Sequence, residues 1–77
     1  MSDATQATGA VFAIVVNGEQ RAAKPGDSVT DLLHALGLEN GRVAIERNRE
    51  IAPRSQWTEI ALAEGDHLEI VQFVGGG

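Results

Sequence analysis

Val11 to Val16 reads VFAIVV, apolar at both parities, and stops at Asn17-Gly18. A strand that is apolar on both sides is either covered on both faces or placed centrally in a sheet. Asn-Gly tolerates the two positive φ angles of a type I′ turn, which brings Glu19 to Ala23 (EQRAA) back as a second, more exposed strand. The domain therefore opens on a β-hairpin whose first strand belongs to the sheet interior. Lys24 to Asp27 is a turn, and Ser28 with Asp31 three residues on forms a short relative of a capping box. Val29, Leu32, Leu33 and Leu36 follow at i, i+3, i+4 and i+7, which predicts a helix starting near Val29 with Gly37 at its C′ position.

Arg42 to Arg47 (RVAIER) alternates as a third strand ending in the turn-prone Asn48-Arg49-Glu50, and Pro53 breaks any continuation. Pro53 to Leu62 reads as irregular; Pro53 or Ser55 could open one helical turn, and Trp57, Ile60 and Leu62 could seal an edge of the core. After a turn at Glu64-Gly65-Asp66, His67 to Phe73 (HLEIVQF) is the last strand, with Leu68 and Ile70 on one face and Glu69, Val71 and Phe73 on the other. One helix covering one sheet face requires a crossover that brings the first and last strands together in parallel. The reading is an α+β domain of order ββαββ over residues 11–74. Residues 1–10, small and polar, form a disordered lead-in, and residues 75–77 a flexible tail.

Several functions are excluded by composition. Eleven acidic residues against six basic ones give a net charge of −5 without any basic run, so nucleic acid and anionic membrane are unsuitable partners. There is no cysteine to supply a disulfide, a thiolate metal site or a nucleophile. No apolar stretch approaches the length of a spanning helix and no signal core stands at the N-terminus, so a cytoplasmic location is expected. His34 and His67 lie far apart in sequence, with no cluster of Asp, Glu or Cys converging with either at ligand spacing, and neither is assigned a metal. Trp57 is assigned to the core edge, and Arg47, Arg49 and Arg54 to a solvated face.

The chain finishes VQFVGGG. Glycine buries nothing and loses the most entropy on ordering, so Gly75-Gly76-Gly77 adds nothing evident to a fold. A tail without Cβ atoms can thread a terminal carboxylate into a narrow partner site, and that carboxylate would be the payload. It is ionised at neutral pH and a poor electrophile. Activation to an acyl adenylate needs a phosphate loop and metal that this chain lacks, which would make the chain a substrate carried between enzymes.

Asn48, Pro53-Arg54 with Trp57, Gly65-Asp66 and the terminal Gly76-Gly77, preceded by Asn17-Gly18 and a short Leu-Leu helix ending Leu36-Gly37, closely resemble the landmarks of the ThiS family, the sulfur carriers of thiamin biosynthesis. The resemblance covers all but the first ten residues. It implies a ubiquitin-like β-grasp fold, a four- to five-stranded mixed sheet packed on one main helix. It also implies that a ThiF-type adenylyltransferase adenylates Gly77 with ATP and Mg²⁺, the carrier itself binding no cofactor. A persulfide sulfur delivered through a cysteine desulfurase then replaces AMP, and the thiocarboxylate on Gly77 gives its sulfur to thiazole synthase of the ThiG type. Gly75 and Gly76 would form the threading tail, Gly75 being a third glycine that lengthens it by one residue. With nothing after Gly77, no processing protease is expected, and a tail that must enter another protein favours a free monomer. If exposed, Val71 and Phe73, with Val74 next to the tail, would form an apolar docking patch. Alternatives of the same fold are a carrier for molybdopterin or tRNA thiolation, and a ubiquitin-like modifier.

Overall fold

The computed structural model describes residues 10–73; residues 1–9 and 74–77, and with them the expected lead-in and glycine tail, lie outside the described residues. The elements in chain order are β1 (Phe12–Val16), β2 (Glu19–Ala23), α1 (Val29–Ala35), β3 (Val43–Arg47), β4 (Glu50–Ile51), a 3₁₀ turn (Arg54–Gln56) and β5 (His67–Gln72). The strands form one sheet of order β2-β1-β5-β3-β4. Pairing is antiparallel except between β1 and β5, where Val15 meets His67 and Val16 meets Leu68 in parallel, as the crossover argument requires. This mixed five-stranded sheet with one helix is the ubiquitin-like β-grasp arrangement.

The hairpin and helix form where local chemistry directs them. Asn17 and Gly18 both hold positive φ angles, 51° and 84°, in the β1–β2 turn. Ser28 accepts from the Asp31 backbone and Asp31 accepts from the Ser28 backbone, a complete capping box. At the other end Gly37 sits at φ 75°, its N–H donating to His34 and that of Leu38 to Leu33, the paired bonds of a Schellman motif. Val29, Leu32 and Leu33 then pack against Ile14, Val16, Val43, Ile45, Leu68 and Ile70 of the sheet.

The structure adds one strand to the sequence reading and decides between the two readings of β1. The order has an extra short strand, β4, which Asn48-Arg49 joins to β3 with Arg47 opposite Glu50. Asn48 and Arg49 sit at φ 52° and 74°, a two-residue hairpin turn like that at Asn17-Gly18. Arginine rather than glycine at its second position hides it from the sequence. In β1, Ile14 and Val16 are buried under the helix, but Ala13 is exposed and Val15 half-buried. The run is apolar at both parities because β1 lies inside the sheet, yet its second face is open, not covered.

The segment between β4 and β5 holds no long element, as expected, and its fixed shape comes from tertiary bonds. The N–H groups of Val29 and Thr30, which have no partners within the helix, donate to the carbonyls of Ile60 and Trp57, and Leu62 N–H donates to Asp27. Trp57 and Leu62 are buried at the core edge, and Ile60 packs against it half-buried. The Trp57 indole donates to the Ala52 carbonyl at 2.7 Å.

Candidate functional site: the open sheet face and the end of β5

β5 is the middle strand of the five and the last element before residues 74–77 in sequence, so how it is held matters to the site. Two asparagines brace it from opposite sides. Asn17 accepts from the Ile70 N–H at 2.7 Å and donates to the Ile70 carbonyl at 3.2 Å, while its own backbone N–H bonds Leu68. Asn48 accepts from the His67 N–H at 2.9 Å and its backbone N–H bonds the His67 carbonyl. Each turn thus serves two purposes, closing its own hairpin and fixing β5. Sequence reasoning found both asparagines as turn formers and missed the bracing, which no local pattern encodes.

A third support was also missed. Asp66, read from the sequence as a turn residue, is 5% exposed. It accepts hydrogen bonds from Arg47 Nε (2.9 Å), Asn48 Nδ2 (3.1 Å) and the Ala63 N–H (2.9 Å). Burial acts to raise its pKa, but the Ala63 amide, Arg47 and Asn48 together outweigh burial and hold the carboxyl below its ordinary value. Of the expected solvated arginine trio, Arg49 and Arg54 are exposed and only Arg47 is corrected. Arg47 is tied to Asp66, and Arg54 lies 4.6 Å from the centre of the Trp57 ring, covering it.

Val71 and Phe73 are 56% and 55% exposed, alternating with buried Leu68 and Ile70 as their parity requires. β1 pairs only with the start of β5, so Val71 and Phe73 extend past it, with Arg42 and β3 alongside; the Phe73 N–H donates to the Arg42 carbonyl at 2.8 Å. On the same outward pleat Ala44 faces Val71, Glu46 faces Glu69 on one side and Ile51 on the other, and Ile51 is 67% exposed. Ala44, Glu46, Ile51, Glu69 and Val71 line a shallow depression there. Val74, Gly75, Gly76 and Gly77 lie outside the described residues.

Among the described residues no three His, Cys, Asp or Glu side chains gather where they could hold a metal ion. His34 lies against Glu39 at 3.0 Å and His67 against the Gly65 carbonyl. No helix among the described residues is long and apolar enough to cross a membrane. What the arrangement offers is an apolar surface beside the end of a strand whose beginning and middle are held from both sides.

Comparison with known proteins agrees with this geometry. The ThiS family model matches residues 14–77. The chain is 47% identical over 64 residues to a thiazole synthase of Paramagnetospirillum magneticum, a match that takes in 83% of this chain but spans only a fifth of that protein. It is 44% identical over 54 residues to the sulfur carrier protein ThiS of Bacillus subtilis, covering 70% of this chain and 82% of that one. Among solved structures, the thiamine biosynthesis protein ThiS of Geobacter metallireducens superposes with a TM-score of 0.69 at 31% identity, over 86% of this chain and all of that one. With the β-grasp sheet, the braced β5 and a family match that runs through Gly77, the chain belongs to the ThiS family.

Proposed function

We propose that this chain is the sulfur carrier of thiazole formation in thiamin biosynthesis, and that Gly77 carries the sulfur. The observation that carries the reading is that the family match takes in the β-grasp domain and the triglycine as one unit, residues 14–77. In this reading a ThiF-type adenylyltransferase uses ATP and Mg²⁺ to join the Gly77 carboxylate to AMP, releasing pyrophosphate. The terminal sulfur of a persulfide supplied through a cysteine desulfurase attacks the acyl carbon and displaces AMP to give an acyl disulfide; a thiol of the sulfur donor then attacks the donor's sulfur, forming a disulfide there and releasing the thiocarboxylate on Gly77, which delivers its sulfur to thiazole synthase. The chain is a substrate throughout and contributes no catalytic group.

The division of labour follows from physical chemistry. The carrier needs a rigid body that partners can recognise and a tail thin enough to reach a buried centre; the braced β5 supplies the first and glycines without Cβ atoms supply the second. Val71 and Phe73, with Val74 next to them in sequence, form the contact that docks the adenylyltransferase and orients Gly75 and Gly76 toward its site. Their exposure supports this role. The carrier works in the cytoplasm as a free monomer.

Intact-mass spectrometry tests the proposal. Incubation with ATP, the adenylyltransferase, a cysteine desulfurase and cysteine adds about 16 Da, which fragmentation assigns to Gly77 and separates from oxidation of Met1. The gain disappears when Gly77 is deleted. No gain under conditions that load another ThiS-family carrier would overturn the reading.

A further inference from the structure

Glu46 and Glu69 stand directly opposite each other on neighbouring strands, both exposed, on the open face of the sheet. Such cross-strand partners have Cβ atoms about 4.5–5.5 Å apart, and like charges in that position weaken a sheet. The three ion pairs described, Lys24–Asp27, His34–Glu39 and Arg47–Asp66, use neither. The fold thus bears a repulsive pair from which it draws no benefit.

The surroundings make the pair unlike an ordinary solvated acidic face. Ile51 stands across from Glu46 on its other side, Ala44 and Val71 form the next rung, and all line the same depression. A cation entering there meets two carboxylates at once while its aliphatic stem lies on Ile51 and Val71, the match that suits lysine or arginine. A partner surface that covers the depression also excludes water, which strengthens the attraction.

We propose that Glu46 and Glu69 form a two-carboxylate socket that receives a lysine or arginine from an apolar surface of thiazole synthase, making them specificity determinants for that partner. The choice of occupant rests on two observations. A thiazole synthase polypeptide carries a region 47% identical to this chain, which associates this domain with that enzyme. The socket is also continuous, through Val71, with Phe73, the last described residue before the glycines that must reach the enzyme's site. The inference rests on the sulfur-carrier reading, and its test separates the two.

The full-length chain is titrated calorimetrically into thiazole synthase from the same source, as wild type, Glu46→Gln, Glu69→Gln and the double variant. Each single change weakens binding about fivefold and the double change about thirtyfold or more. Raising salt from about 50 to about 500 mM weakens the wild type more than the double variant, because the lost attraction is the screened one. The urea midpoint of the free double variant stays at or above that of wild type, since repulsion has been removed; a merely structural pair would lower it. A double variant that binds within twofold of wild type at low salt overturns the socket while leaving the carrier reading intact. A wild-type chain that does not bind thiazole synthase at all overturns both, and sulfur loading at Gly77 then shows whether the chain is a carrier for another acceptor.

Discussion

Replacing Asp66 by alanine removes the acceptor of three hydrogen bonds, from Arg47, Asn48 and the Ala63 amide, at a site 5% exposed. Breaking a buried ion pair from one side costs about 3–5 kcal/mol. The lower end applies because the Arg47 side chain is 32% exposed and can turn to water, so the expected loss is about 3 kcal/mol. Asp66→Asn keeps an acceptor and the side-chain shape and costs about 1–2 kcal/mol. Domains of this size have total stabilities on the order of 5 kcal/mol, so the alanine variant is only marginally folded. With a urea slope of about 1 kcal/mol/M, its midpoint falls by about 3 M. The pH dependence supplies an independent check. Because the folded carboxyl is held below the unfolded value of about 3.9, its contribution is complete above roughly pH 5 and is lost as pH falls through the folded pKa. The advantage of wild type over Asp66→Asn therefore holds at neutral pH and shrinks in acid. Urea unfolding followed by Trp57 fluorescence at several pH values measures both effects. An alanine variant within about 0.5 kcal/mol of wild type at pH 7, or a gap to Asp66→Asn that does not narrow in acid, would refute the reasoning.

Two further outcomes are expected. Asn17→Gly keeps a residue free to hold the positive φ of the turn but removes both side-chain bonds to Ile70; it should cost about 1–2 kcal/mol and speed hydrogen exchange at the Ile70 amide more than at Ile45. Phe73→Ala removes exposed apolar surface and should leave the urea midpoint unchanged while raising the KM for adenylation about tenfold, with kcat little affected; an unchanged KM would remove Phe73 from the docking surface.

Elements set by neighbours in sequence were legible. The Asn17-Gly18 turn, the Ser28 and Asp31 capping box and the Gly37 terminus depend on residues within a few positions of one another, and each was read correctly. β4 was not, because its turn places Arg49 in a conformation that sequence preference assigns to glycine, and the bonds of Asn48 to His67 and Asp66 help hold that turn. The burial of Trp57 and Leu62 was expected, but not the means: helix N–H groups reach across to an irregular segment more than 25 residues away. Asp66 looked like any residue after a turn glycine until folding placed Arg47 and Asn48 against it. On the site, alternation fixed which face Val71 and Phe73 share, while their exposure depended on whether anything covered that face. For the same reason the facing of Glu46 and Glu69 is not legible in the sequence, since register between β3 and β5 is a property of the assembled sheet.

The central claim is that sulfur held on Gly77 is destined for a thiazole. Carrier bearing ³⁵S at Gly77 should be mixed separately with thiazole synthase and its organic substrates, and with the large subunit of molybdopterin synthase and its precursor, and the label followed by chromatography. The account predicts that label leaves the protein and appears in the thiazole, with about one sulfur transferred per carrier and no transfer in the second mixture. Label retained on the carrier in the first mixture and released in the second would contradict it.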